Sequence, residues 1–145
     1  MAVIDFARHV CQLEGASSTE MDPDTPHPVI DILPEQKKIS DKGGTMRLGG
    51  YSAKLMKDSV VYNLYGDEEV SERHRHRYEV NPEYHSVLQQ NGMVFSGVSS
   101  DGRLVEFIEL PNLKYFTATQ AHPELKSRID KPAPLFFGFI KACQS

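Results

Sequence analysis

The stretch "MVFSGVSSDGRLVEFIEL" (residues 93–110) decides the fold, because it reads as two strands joined by a turn. Apolar and β-branched residues are dense in "MVFSGVS" and in "RLVEFIEL", and the "SDG" between them is typical of a tight turn. The stretch therefore predicts an antiparallel hairpin over residues 93–110.

The segments on either side of the hairpin predict further alternating elements. Upstream, Asn81 and Pro82 have the character of an N-cap and first turn for a helix that ends at residue 90. Downstream, residues 114–120 predict a strand, and Pro132 opens an apolar helix expected to pack against the sheet. The pattern predicts an α/β class with a mixed sheet.

The first half of the chain continues this alternation. Apolar residues at helical spacing predict a helix from the start of the sequence to Gly15. Residues 29–33 and 43–56 predict extended segments, with a polar loop between them. Asp58 is expected to cap a short helix that ends before Gly66.

Composition limits the classes of function. The chain has 145 residues and is 39% hydrophobic, which suits one globular domain, and its net charge of -4 argues against a nucleic-acid partner. Its apolar runs are too short to span a membrane, and its start does not resemble a secretory signal, so we expect a cytoplasmic protein.

The two cysteines predict no metal or disulfide framework. Cys11 and Cys143 lie almost at opposite ends of the sequence and form no C-x-x-C pair. Cys11 is predicted to lie within the first helix on its apolar side, and Cys143 on the last helix. Both are interpreted as buried structural thiols.

The stretch "SERHRHRYEV" (residues 71–80) admits several interpretations. As a strand it would present its three arginines on one face and its two histidines with Tyr78 on the other. His74 and His76 could chelate a metal, but no further ligands stand at suitable spacing, and the neighbouring glutamates would offset most of a phosphate-binding field. The pattern leaves two further alternatives open beside these, a half-exposed strand with Glu–Arg pairs and an arginine that offers a planar fork to a carboxylate.

The segment "TATQAHPEL" (residues 117–125) is the other candidate for chemistry. It ends a predicted strand, where ligands of open α/β sheets commonly bind. Pro123 holds His122 near extended geometry, so His122 and Glu124 can lie on the same side, as the orienting half of a catalytic triad. An ordinary surface turn fits the same segment, and the sequence contains no nucleophile turn of the G-x-S-x-G kind or its cysteine counterpart.

Pattern alone does not assign a function to "GGTMRLGG" (residues 43–50) or "SSTE" (residues 17–20). The glycines of the first fit neither G-x-x-x-x-G-K-[ST] nor G-x-G-x-x-G, so they are assigned to turns or close backbone approach. The second resembles a capping box, but a proline-rich loop follows it instead of a helix.

Taken together, "ARHV", "SSTE", "GGTMRLG", "ERHRHRYEVN", "LVEFIELP" and "QAHPE" occur in an order and at separations that resemble one family. The sequence resembles the C-terminal class I glutamine amidotransferase domain of CTP synthases over essentially residues 1–145. The resemblance implies a three-layer α/β/α fold with a mostly parallel central sheet plus an antiparallel hairpin.

The resemblance also implies a reaction and roles for residues. The family makes CTP from UTP, ATP and ammonia, and this domain releases the ammonia from glutamine through a Cys-His-Glu triad. His122 and Glu124 match the histidine and glutamate of the triad, and Glu20 and Arg77 match positions that hold the glutamine substrate. The implied parent is a cytoplasmic homotetrameric ligase that uses ATP and Mg²⁺, with no cofactor or metal in this chain, and the synthetase domain of the same enzyme as partner.

The sequence departs from the family pattern at the nucleophile. The family cysteine lies in a G-x-C-L-G-M-Q turn just before the helix that reads "AVIDFARHV", and this sequence starts after that turn, without the first strands of the sheet. We therefore expect the chain alone to be inactive as a glutaminase. The alternative is a non-catalytic glutamine-binding or protein-interaction module related to CTP synthase.

Overall fold

The secondary structure alternates between short helices and strands. A computed structural model of the chain describes residues 1–32 and 46–144. Its α-helices are α1 (Ala2–His9), α2 (Val60–Tyr65), α3 (His85–Gln90) and α4 (Pro134–Gln144). Its strands are β1 (Ser17–Ser18), β2 (Pro28–Asp31), β3 (Arg47–Leu55), β4 (Glu69–His76), β5 (Glu79–Val80), β6 (Val94–Ser99), β7 (Val105–Glu109) and β8 (Thr117–Thr119). Single 3₁₀ turns occur at Pro82–Tyr84 and Pro123–Leu125.

The predicted hairpin is confirmed. Strands β6 and β7 pair antiparallel, and the amide of Gly102, at φ +76°, donates to the Ser99 carbonyl at 2.7 Å. Gly97 leaves no room for a side chain, because a Cβ there would lie 2.5 Å from Phe107 Cδ2 and 2.9 Å from Leu55 Cδ2. Close packing across the hairpin therefore depends on glycine at residue 97.

The chain divides into two compact units. The first contains Met1–Arg47 and His76–Gly92, and the second contains Leu48–Arg75 and Met93–Ser145. A sheet of order β1-β2-β5 belongs to the first unit. A sheet of order β4-β3-β6-β7-β8 belongs to the second, apart from the end residues Arg47 and His76.

The α/β class is confirmed, but the described strand pairs are mostly antiparallel where a mostly parallel sheet was expected. Strands β1 and β2 pair parallel, whereas β2–β5, β3–β6, β6–β7 and β7–β8 pair antiparallel. A parallel pair of consecutive strands needs a crossover of a dozen or more residues. Only residues 100–104 join β6 to β7, so this connection is short enough for an antiparallel pair alone.

Each unit has its own apolar packing. In the first, α1 buries a stripe against β2, formed by Val3, Ile4, Phe6 and Ala7. In the second, α2, α4 and the sheet share a cluster made of Ala53, Leu55, Val61, Phe107 and Leu135. Helix α4 packs less completely than expected, since its exposed side chains include Phe136, Phe137, Phe139 and Ile140.

The first helix is shorter than predicted. It ends at His9, since the Cys11 amide reaches back to the Phe6 carbonyl and Gln12 adopts φ +58°, outside helical geometry. Cys11 therefore follows the helix, half-buried, with its Sγ 3.9 Å from the Val87 carbonyl oxygen. Cys143 is exposed, so its prediction as a buried thiol was wrong.

Other boundaries differ by a few residues. Ser59, not Asp58, caps α2 by accepting from the Tyr62 amide, whereas Gly66 ends the helix at φ +75° as predicted. Helix α4 begins at Pro134, two residues after Pro132. The predicted loop and the first residues of "GGTMRLGG" fall within 33–45, outside the described residues. No helix in the described ranges is long and apolar enough to cross a membrane.

Candidate functional site

His122 lies in a loop whose backbone is fixed on both sides. Its amide donates to the Arg73 carbonyl on β4 at 2.8 Å, and its own carbonyl accepts from the Leu125 amide at 3.1 Å. Pro123 is buried and forms the first turn of the 3₁₀ segment that His122 precedes. The loop after β8 is therefore held against β4, and the imidazole projects from a defined position.

The structure brings the predicted pair together. Nδ1 of His122 lies 2.7 Å from Oε1 of Glu124, and the two side chains are 35% and 53% exposed. A carboxylate only accepts, so Nδ1 carries the proton in this contact and Nε2 of a neutral ring has the lone pair. The His122 hydrogen bond lowers the pKa of the Glu124 carboxyl, with a smaller contribution from the charge of Arg75.

This arrangement suits proton transfer. The His122 side chain has no partner besides Glu124 in the described part of the chain, and none of those residues bonds to its Nε2. The Glu124 charge would stabilise an imidazolium formed during reaction. The contact provides the His–carboxylate pair that the triad interpretation requires.

The arginine and histidine stretch is a strand only as far as His76. Along β4 the burial alternates, with Arg73 and Arg75 exposed and His74 buried, as the period of two predicts. His74 Nε2 lies 3.6 Å from Oε2 of Glu106, in a buried pair. The described residues hold no group of three or more potential metal ligands.

Arg77 leaves the strand, so its predicted place on one face with the other arginines was wrong. It lies in a bend between β4 and β5 and is half-buried. Within the described ranges its guanidinium has no ion-pair partner.

Glu20 and Arg77 lie at the same edge of the three-stranded sheet. Strand β1 runs parallel to β2, and β5 runs antiparallel to β2 with Asp31 opposite Glu79. The C-terminal ends of β1 and β2 therefore meet the N-terminal end of β5. Glu20 follows β1 and Arg77 precedes β5, so an exposed carboxylate and a guanidinium border one edge of the first unit.

The sequence interpretation missed a buried charge cluster beside Arg77. Glu79, whose side chain is 1% exposed, lies 3.4 Å from Arg47 Nη1 and 3.6 Å from His76 Nδ1. Its partner Arg47 is distant in sequence, in "GGTMRLGG", so no local spacing pointed to the pair. In the sequence, Glu79 shows only as a glutamate just before an apolar residue, Val80, which does not reveal that its side chain is buried and paired.

Comparison with known proteins identifies the family. A model of the family described as glutamine amidotransferase class-I matches residues 1–142. The CTP synthase of Methanocaldococcus jannaschii is 64% identical over 141 residues, which is 97% of this chain and 26% of that protein. The CTP synthase of Geobacillus kaustophilus is 56% identical over 142 residues, 98% of this chain and 27% of that protein.

A solved structure shows the same fold. It is the glutaminase domain of Trypanosoma brucei CTPS with bound acivicin, 35% identical, with a TM-score of 0.90 over 97% of this chain and 55% of that one. The chain spans about a quarter of the length of the curated relatives named above. The chain belongs to the class-I glutamine amidotransferase family.

Proposed function

We propose that residues 1–145 are the C-terminal part of a glutamine amidotransferase domain of the CTP synthase kind, which hydrolyses glutamine and supplies ammonia for the ATP-dependent amination of UTP. The high identity to CTP synthases supports the choice of that ligase among class I amidotransferases. The observation that carries the proposal is the contact of 2.7 Å between His122 Nδ1 and Glu124 Oε1.

In this proposal His122 moves each proton. Nε2 first accepts the proton of a cysteine thiol, and the thiolate attacks the side-chain carbonyl carbon of glutamine. Nε2–H then protonates the departing nitrogen, and ammonia and a thioester result. Nε2 next accepts a proton from the attacking water, and collapse of the intermediate releases glutamate and returns the thiolate. Glu124 keeps the proton on Nδ1 and stabilises the imidazolium throughout.

Glu20 and Arg77 are proposed to hold the amino-acid end of glutamine. The α-ammonium needs an acid and the α-carboxylate needs a guanidinium, which binds it in a planar, charge-assisted geometry. Their position at one edge of the β1-β2-β5 sheet supports a shared role, because the two charged groups of an amino acid lie only a few ångströms apart.

The nucleophilic cysteine is proposed to come from sequence beyond these 145 residues. Burial raises the pKa of the Cys11 thiol, which disfavours the reactive thiolate, and Cys143 lies on the last turn of α4. A synthetase domain would complete the protein, and we propose a cytoplasmic homotetramer as its working form. ATP and Mg²⁺ belong to that domain in this proposal.

The test is glutamine-dependent turnover by the protein expressed from its complete natural reading frame. His122→Ala should lower kcat for glutamine hydrolysis by about 10³-fold or more, and Glu124→Gln by about 10²-fold or more. Amination of UTP with added ammonia should persist in both variants, since it bypasses glutamine. Unchanged glutamine turnover in the His122 variant would refute the assignment, and glutamine binding without any hydrolysis by the unmodified protein would favour the non-catalytic alternative.

A further inference from the structure

We propose that Glu79 is a positioning residue for substrate binding, which fixes the bend that presents Arg77 to the α-carboxylate of glutamine. This inference rests on the proposed function, because it assigns to Glu79 a task only if Arg77 holds the substrate. It adds a residue that does not itself touch glutamine.

The carboxylate of Glu79 is buried within a set of cationic and polar groups. Its Oε1 lies 3.4 Å from Arg47 Nη1 and 3.6 Å from His76 Nδ1, while the Glu79 side chain is 1% exposed. The Arg47 side chain is 9% exposed, so solvent screens this pair weakly. A buried carboxylate is costly without a partner, so its position is tied to that of Arg47.

A contact of the His76 side chain spans the bend that contains Arg77. Nδ1 of His76 lies 3.1 Å from the Tyr78 carbonyl oxygen, which can only accept, so Nδ1 carries a proton there. Residues 76 and 78 are thus linked on either side of Arg77, and Glu79 borders the same ring nitrogen. The imidazole that Glu79 borders therefore links the two residues that flank Arg77.

The strand that follows Arg77 is anchored to the sheet edge that also carries Glu20. Glu79 is opposite Asp31 in the pairing of β5 with β2. Asp31 Oδ1 accepts from the hydroxyl of Thr19 at 2.6 Å, and Thr19 immediately precedes Glu20. A displacement of Glu79 would move Arg77 relative to this frame, and recognition by a bidentate fork tolerates only small displacements.

The experiment uses the protein from its complete reading frame and the isosteric change Glu79→Gln, which keeps the shape and removes the charge. We expect KM for glutamine to rise about tenfold or more with kcat changed by less than about threefold, because Arg77 would hold the substrate equally in the ground and transition states. For glutamine whose α-carboxylate is converted to a carboxamide, Glu79→Gln should change KM about twofold at most, since this substrate offers no carboxylate to Arg77.

A double-mutant cycle separates positioning from general loss of structure. In an Arg77→Ala background, Glu79→Gln should leave KM unchanged, because the group it positions is gone. Glu109→Gln alters a buried carboxylate of the second unit and should lower thermal stability with no effect on KM. If Glu79→Gln does not fold, His76→Ala takes its place, because that side chain is 18% exposed and should give the same KM defect.

The outcomes are distinguishable. An unchanged KM in Glu79→Gln, or an equal rise in KM with and without Arg77, would overturn the positioning role and leave the proposed function intact. If the unmodified protein does not distinguish glutamine from its carboxamide, Arg77 does not bind the carboxylate, and both this inference and the proposed binding role of Arg77 fail.

Discussion

At the scale of single residues, the pKa of the Glu124 carboxyl should reveal its contact with His122. Its pKa in the folded protein lies below the ordinary 4.5, chiefly because His122 donates a hydrogen bond to it. A lowered folded pKa means that the stabilising contribution is complete above the unfolded value and is lost as pH falls through the folded value. We expect the Glu124 carboxyl carbon, followed by NMR, to titrate below pH 4.5.

The His122→Ala variant provides the control for this titration. Without the imidazole the Glu124 pKa should move upward, toward 4.5, although the smaller effect of Arg75 persists. A midpoint that is the same in both proteins would show that the contact is not formed in solution. The measurement therefore tests the geometry of the pair separately from any enzymatic activity.

At the scale of elements, a side chain from β7 is predicted to support α2. Glu109 is buried, and its two carboxylate oxygens accept from the amides of Val60 and Val61 at 3.1 and 2.8 Å. In Glu109→Gln an amide NH₂ would face one of these donors. We expect a loss of about 1–2 kcal/mol in the free energy of unfolding, seen as a decrease of roughly 5 °C in Tm.

A matched change at an exposed strand position sets the baseline. Glu69→Gln removes the same charge from the exposed start of β4 and should alter stability by less than about 0.5 kcal/mol. Equal melting temperatures for the two variants would contradict the prediction that Glu109 supports α2. Calorimetry on both proteins under one set of conditions decides the matter.

Elements that depend on neighbouring residues could be predicted from the sequence, whereas those that depend on distant contacts could not. The hairpin and the His122–Glu124 pair rest on spacings of a few residues, and the structure shows both. The end of α1 was missed because Gln12 adopts a positive φ that periodicity does not reveal. Glu79 was missed because its charge is balanced by Arg47, whose distance in sequence hides the pair.

At the scale of the whole molecule, the proposed function predicts that the 145-residue chain alone hydrolyses no glutamine. The proposed mechanism needs a thiolate, and a triad without its nucleophile loses nearly all of its rate enhancement. Cys11 is a poor substitute, because burial raises the pKa of its thiol and its Sγ lies beside the Val87 carbonyl. We expect glutamate release from purified chain to equal the rate of uncatalysed hydrolysis.

The variants Cys11→Ala, Cys143→Ala and His122→Ala make this last prediction decisive. Turnover that disappears with Cys11→Ala or Cys143→Ala would identify a nucleophile within the chain and refute a cysteine supplied from elsewhere. Turnover that survives both cysteine changes but disappears with His122→Ala would show that His122 works without a thiol, for example by activating water directly. Background hydrolysis in every protein, together with full activity from the complete reading frame, is the result that the proposed mechanism predicts, because that mechanism takes its thiolate from outside these 145 residues.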